Sequence, residues 1–304
     1  MPNFSRTALT LALAVATALG VTAPAVSEAA AAAAQTHALH VQPYHPGDTA
    51  LFSVASTLIT GQHDAVLIDA QFAASDAAQL VQRIRDSGKH LTTIYISHGD
   101  PDYYFGLATL QDAFPDARIV ATAQTVAHIT ATQAGKLAYW SPQMGADKPA
   151  RIVIPQVLDD TALTLDGQPL RIIGLDGPTP DRTVVWIPSL RTVLGGIPIV
   201  AGEHVWMADT QSAQSHAEWL ATLATIKALK PTRVIPGHYA SGAKLDSSAL
   251  DFTAAYIRAF DEETARSRNA DALIAAMKKR YPTLHGVSSL EVSAKVAKGE
   301  MQWP

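Results

Sequence analysis

The segment that most constrains this chain is Ile94-Tyr95-Ile96-Ser97-His98-Gly99-Asp100-Pro101-Asp102-Tyr103-Tyr104-Phe105-Gly106. The apolar run 92–97 reads as a buried strand, and it ends in a loop with three potential metal ligands at alternate positions. Ligands at i, i+2 and i+4 on an extended loop can converge on one small volume, and a divalent ion needs such a convergence of imidazole and carboxylate groups. A helix that starts just after the loop adds a field favouring anions. The same residues also suit a purely structural purpose, because Asp102 is a good helix N-cap and Gly-Asp-Pro-Asp a good turn.

The flanking pattern places this loop in an alternating α/β chain. Strands are expected at 51–60, 65–69, 92–97 and 117–121, and helices at 73–87, 104–114 and about 124–139. The helix at 73–87 puts Ala77, Leu80, Val81 and Ile84 on one face. The second half restarts with short strands rich in Val, Ile and Leu at 163–165, 170–174, 183–187 and 192–194. A helix at 212–229, a strand at 233–235 running into Pro236-Gly237-His238, and helices at 248–266 and 270–281 complete it. Two similar halves of this kind build a four-layer αββα sandwich, although the pattern alone also allows a doubly wound sheet. No Pro- or Ser-rich linker divides residues 37–304, which are expected to form one domain.

The start of the chain reads as an export signal. Arg6 is followed by the apolar run 8–21, and Ser27-Glu28-Ala29 fits a small-x-small cleavage site. Residues 1–29 are therefore expected to be a signal peptide and 30–36 a flexible leader, with the mature protein periplasmic or secreted. The run is shorter than the roughly 20 residues that span a bilayer, so no stable membrane anchor is expected after cleavage. The chain has no cysteine, which excludes a disulfide framework, a thiol nucleophile and Cys-rich zinc sites, so any metal must be held by His and carboxylates. With 48% hydrophobic and 16% charged residues, the chain has material for a large core. A net charge of -4 argues against a nucleic-acid partner and leaves a small-molecule substrate as the expectation.

Strand-His-x-His-x-Asp-His before a helix is the signature of the metallo-β-lactamase superfamily, and the segment around His98 resembles a depleted form of it. His98 and Asp102 match the first His and the Asp; Asp100 stands at the second His and Tyr103 at the third. Other landmarks follow in the family's order. Val66-Leu67-Ile68-Asp69 resembles the early strand with a structural Asp, and Gly177-Pro178-Thr179-Pro180 the Gly-His-Thr-Pro loop, with Pro178 at a ligand position. Leu194-Gly195-Gly196-Ile197 resembles the strand ending in Gly-Asp, with Ile197 at the bridging Asp, and Ile235-Pro236-Gly237-His238 matches the final Pro-Gly-His.

The resemblance implies the αββα fold and a metal site of His98, Asp100, Asp102 and His238. Too few ligands remain for two zinc ions, so one divalent ion is expected, zinc first, with iron or manganese also suited to an oxygen-rich set. Asp176, Asp181, Tyr103 and His204 are candidates to repair the site, against turn formation for the two aspartates and a supporting or surface position for His204. The other histidines, His45 and His216 among them, are expected to form no ligand-like cluster, with His216 facing solvent from its helix. Of Tyr103, Tyr104, Phe105, Tyr139, Trp140 and Trp206, most are expected in the core, though they could line a pocket.

The function implied is hydrolysis of a small ester, lactone, lactam or phosphoester by a metal-activated water, with Asp102 orienting that water or taking its proton. The alternative is a non-catalytic relative that binds a ligand or partner with weak or no metal. A nucleotide-binding α/β protein is excluded by the lack of a Gly-rich phosphate loop after the first strand.

Overall fold

The computed structural model describes residues 38–303. The expected signal peptide 1–29 and leader 30–36 lie outside the described residues. A six-stranded sheet is built first, in the order β1 (His40–Tyr44), β2 (Ser56–Thr60), β3 (Asp64–Ile68), β4 (His90–Ile96), β5 (Arg118–Ala121), β6 (Gln156–Val157). The first three strands are antiparallel, and β3 to β6 run parallel. Helix α1 (Ala74–Asp86) crosses from β3 to β4, α2 (Pro101–Tyr104) and α3 (Leu107–Ala113) from β4 to β5, and α4 (Ala123–Met144) from β5 to β6.

The second sheet consists of β7 (Ala162–Leu165), β8 (Gln168–Ile173), β9 (Val184–Ile187), β10 (Thr192–Leu194) and β12 (Arg233–Ile235). β11 (Val200–Ala201), between β10 and β12 in sequence, forms a small parallel pair with β13 (His238–Tyr239), which follows β12. Helices α5 (Ala213–Ala228), α6 (Ser248–Arg266), α7 (Ala270–Arg280) and α8 (Val287–Ala297) flank this half.

Side-chain alternation sorts the first sheet between two cores. Ile59, Val66, Ile68 and Tyr95 join the cluster that also holds Ile172, Val185, Ile187, Val193 and Val234 of the second sheet. Leu58, Leu67, Ile94 and Ile96 face the other way, onto Leu80 and Ile84 of α1 and Leu107 and Leu110 of α3. The chain is therefore an αββα sandwich, two sheets face to face with helices outside, as the sequence led us to expect.

Several boundaries differ from the sequence reading. β2 begins at Ser56 rather than at 51, because Ala55 N–H donates to the Gly237 carbonyl and Phe52 and Ser53 turn toward a cavity. The helix expected at 104–114 is two helices, α2 and α3. Gly106 N–H donates to the Gln71 carbonyl, and a Cβ at Gly106 would lie 2.0 Å from the Ala70 carbonyl oxygen, so the chain passes this point in close contact and changes direction. Helix α4 runs on to Met144, with Pro142 in its last turn. Strands β1, β6, β11 and β13 and helix α8 had no counterpart in the sequence reading. Most of these strands are short, and all lie where neighbours rather than local propensity decide the backbone.

Candidate functional site

β4 delivers the loop 97–100 through a buried polar latch. Ser97 N–H and Oγ donate to Asp69 at 2.8 Å each, and the Gly196 N–H donates to Ser97 Oγ at 2.7 Å. The latch joins the ends of β3, β4 and β10. Burial pushes the Asp69 carboxyl up to about 7.

His98 follows and is buried. Its Nδ1 lies 3.3 Å from the Asp181 carbonyl and so donates to it, while Nε2 sits 3.1 Å from Asp100 Oδ2. Asp181, a candidate ligand by sequence, thus contributes its main chain. Asp100 takes the N-cap position of α2, the place expected for Asp102, but its carboxylate makes no capping bond. It reaches instead to His98 and to Lys136 Nζ, 3.5 Å away, with His128 Nε2 at 3.9 Å. Burial alone would raise the Asp100 carboxyl, but His98, Lys136 and His128 outweigh it and hold the group far below the usual carboxylate range. Gly99 permits the His128 approach, since a Cβ there would lie 2.7 Å from the His128 ring.

Asp102, in the first turn of α2, pairs with His238 at 3.0 Å (Nε2 to Oδ2). Burial lowers the His238 imidazole, but its bond to Asp102 and the nearby Glu203 and Asp100 charges prevail and raise it. Tyr103 fills the gap between the two pairs, its ring centroid 5.3 Å from that of His98 and 5.8 Å from that of His238. Its hydroxyl is buried without a hydrogen-bond partner. Gly237 is needed beside it: a Cβ there would meet the Gly196 carbonyl oxygen at 2.2 Å and the Tyr103 hydroxyl at 2.6 Å.

The four expected ligands therefore form two pairs, His98 with Asp100 and His238 with Asp102, and among the described residues no three of the four bring their ligand atoms within 4.8 Å of one another. Asp100, Asp102 and His238 line a cavity of about 220 Å³, together with Ile197, which stands where the family's bridging Asp would be. His204 lines it too, with Nδ1 2.9 Å from the Tyr256 hydroxyl; burial pushes its imidazole down to about 4, with the Lys278 charge adding to the shift.

Two charged side chains beside the candidate site escaped the sequence reading. Lys136, in the middle of α4, is almost wholly buried, and its ammonium lies 3.5 Å from both Asp100 Oδ1 and Asp209 Oδ1. Burial lowers its basicity, but the two carboxylates more than offset this. Asp209 in turn accepts from the Trp206 and Trp303 indoles. Trp140 and Trp206 line the cavity, whereas Tyr103, Tyr104 and Phe105 belong to the core and Tyr139 is partly exposed.

Two expectations about histidines are corrected. His216 does not face solvent: it is buried, with Nε2 against the Thr210 carbonyl and Nδ1 against Asp261, both at 2.6 Å. His45 does join a ligand-like cluster. Among the described residues, His45, Asp48 and Glu203 are the group of His and carboxylate side chains whose ligand atoms all lie within 4.8 Å of one another, and they could hold a cation. Two of them, Asp48 and Glu203, line the cavity. His45 is engaged on both ring nitrogens, accepting from Gly47 N–H at Nδ1 and meeting the Tyr239 carbonyl at Nε2, so coordination there requires one of those bonds to give way. Local spacing could not reveal this group, since Glu203 lies far along the chain from the other two.

Among the described residues no helix is long and apolar enough to cross a membrane. The family model for the metallo-beta-lactamase superfamily matches residues 36–238. Among solved structures, a metallo-beta-lactamase family protein from Thermus thermophilus aligns with a TM-score of 0.60 at 15% identity, over 86% of this chain and 94% of that one. A metallo-beta-lactamase from Pontibacter korlensis aligns with a TM-score of 0.52 at 20% identity, over 74% and 95%. At such identities the likeness establishes the fold alone. No curated protein gives a significant match. With the family model spanning two sheets, the His98 loop and the segment from β12 to His238, the chain belongs to the metallo-beta-lactamase superfamily.

Proposed function

We propose that this chain is an exported metal-dependent hydrolase of a small ester, lactone, lactam or phosphoester, with one divalent ion drawn to His98, Asp100, Asp102 and His238. The observation that carries this reading is the contact of His98 with Asp100. Because Nδ1 donates to a carbonyl, Nε2 of a neutral ring would turn its lone pair onto the Asp100 carboxylate at 3.1 Å. Only a proton or a cation between them makes that contact favourable. Two ligands of one ion, each about 2.0–2.2 Å from it, stand roughly 3.0–3.4 Å apart; the His98–Asp100 and His238–Asp102 contacts, 3.1 and 3.0 Å, have this spacing within each pair, and because no three of the four donors lie within 4.8 Å of one another among the described residues, a single ion must draw the two pairs together.

A two-ion centre does not fit. Tyr103 and Ile197 fill two of its positions with buried side chains that have no free lone pair of comparable strength, and Pro178 takes a third. Zinc is the first expectation for the single ion, with iron or manganese also served by these donors.

A divalent ion supplies Lewis acidity and a water of lowered pKa when bound in such a site. The residues of the chain do the rest. Asp102, fixed by His238, is placed at the cavity floor to orient a water and take its proton. Lys136 holds Asp100 in place against His98. Phe52, Trp140, Trp206 and Trp303 supply apolar lining to the same cavity.

Activity before and after chelation, on a panel of esters, lactones, lactams and phosphoesters, tests the reading. Asp102→Asn is expected to lower kcat/KM by about 10²-fold or more. Hydrolysis that survives both chelation and Asp102→Asn would reject it. The second reading, a non-catalytic relative, draws on Lys136, whose ammonium already pairs with Asp100 and Asp209; it predicts ligand binding with no turnover on any of the panel.

A further inference from the structure

The charge and the walls of the cavity select among substrates. Five carboxylates line it, Asp48, Asp100, Asp102, Glu203 and Asp209, against one lysine and no arginine. That lysine, Lys136, is already spent between Asp100 and Asp209. A carboxylate or phosphate on a ligand is ordinarily met by a free guanidinium or ammonium, and the lining offers none. One divalent ion at the floor still leaves the lining negative by formal charge.

Glu203 is the outstanding group. It is only 7% exposed, accepts a hydrogen bond from Ser53, has no ion pair with any Lys, Arg or His within 4.0 Å among the described residues, and stands within 4.8 Å of ligand atoms of Asp48 and His45. The same cavity is lined by Phe52, Trp140, Trp206 and Trp303 in a connected set of edge-to-face contacts, with centroid spacings of 4.9–6.3 Å. These rings already receive one ammonium, since Lys136 Nζ sits 4.7 Å above the Trp303 ring. Aromatic faces and an unpaired carboxylate around one space attract organic cations, and the low-dielectric walls strengthen the field.

We propose that the cavity takes an uncharged or, preferentially, a cationic substrate, a carboxylic ester or lactone whose apolar or ammonium-bearing body lies between Phe52, Trp140, Trp206, Trp303 and Glu203, and that it rejects phosphoesters and carboxylate-bearing lactams. This rests on the hydrolase reading for the ester or lactone, but the charge preference does not.

Binding of benzyltrimethylammonium, benzyl alcohol and phenylacetate to the mature protein, by calorimetry and tryptophan fluorescence at fixed ionic strength, separates the two. The cation is expected to bind about ten-fold more tightly than phenylacetate, with the alcohol between them. Glu203→Gln should shrink that ratio at least about three-fold, and Trp303→Ala should weaken the cation and the alcohol together. An unchanged melting temperature shows that each variant is folded. Trp303 is a useful second variant because it lies at the end of the chain. Phenylacetate binding as tightly as the cation, no measurable binding of the cation, or a cation affinity that neither substitution moves would overturn the proposal. A protein that binds the cation but hydrolyses nothing would sink the hydrolase reading and leave the charge preference standing.

Discussion

Lys136 places a full positive charge in the interior, and Asp100 and Asp209, with the Trp303 ring face, make that tolerable. Removing one partner of a buried pair leaves uncompensated charge, so Lys136→Met is expected to lower the unfolding free energy by about 3–5 kcal/mol in urea denaturation. A loss below about 1 kcal/mol would show that the carboxylates find other partners. His204 makes a second residue-scale prediction. Its imidazole is pushed down to about 4 in the folded protein from an ordinary 6.5, so the folded state disfavours the proton. Stability that is present above pH 6.5 is lost as the pH falls toward 4. The urea midpoint should drop over that window, and drop less in His204→Gln; equal slopes would remove His204 as the cause. At this scale the sequence singled out His98, Asp100, Asp102 and His238 as candidates, because they stand in a motif, and the structure pairs them two by two. It concealed Lys136, Asp209 and Glu203, whose roles come from tertiary neighbours rather than spacing.

The short helix α2 carries the site, and its place depends on the chain crossing at Gly106. The Gly106 Cα passes so near Ala70 that an added Cβ would lie 2.0 Å from the carbonyl oxygen and 2.8 Å from the Ala77 side chain. Gly106→Ala must push α2 and α3 off β3 and α1, at a cost of about 1–3 kcal/mol. Equilibrium denaturation checks this; a variant as stable as the parent would mean that the crossing has slack. The long helices and central strands were legible from apolar periodicity, as in α1, where Ala77, Leu80, Val81 and Ile84 are all buried. The break between α2 and α3 was not. A stretch rich in aromatic residues reads as continuous helix until the neighbouring backbone is in place. Burial of His216 was missed for the same reason, since Asp261 belongs to a helix that the local pattern does not bring near.

At the scale of the molecule, the two sheets and their flanking helices follow from alternating segments, and the landmarks at Asp69, His98, Gly177, Gly195 and His238 fix their order. The sandwich brings the ends of β4, β10 and β12 to one edge. A cavity forms there, floored by Asp100, Asp102 and His238 and walled by Trp140, Trp206 and Trp303. The family's usual ligand count is not preserved at that floor, and the account depends on whether the remaining donors hold an ion. Metal content of the purified protein, measured by mass spectrometry after reconstitution with zinc, iron or manganese and removal of free ion, tests this most directly. The account predicts close to one ion per chain, lost in His98→Ala and in His238→Ala. Less than about a tenth of an equivalent after reconstitution, or a full equivalent that both substitutions leave in place, would contradict it.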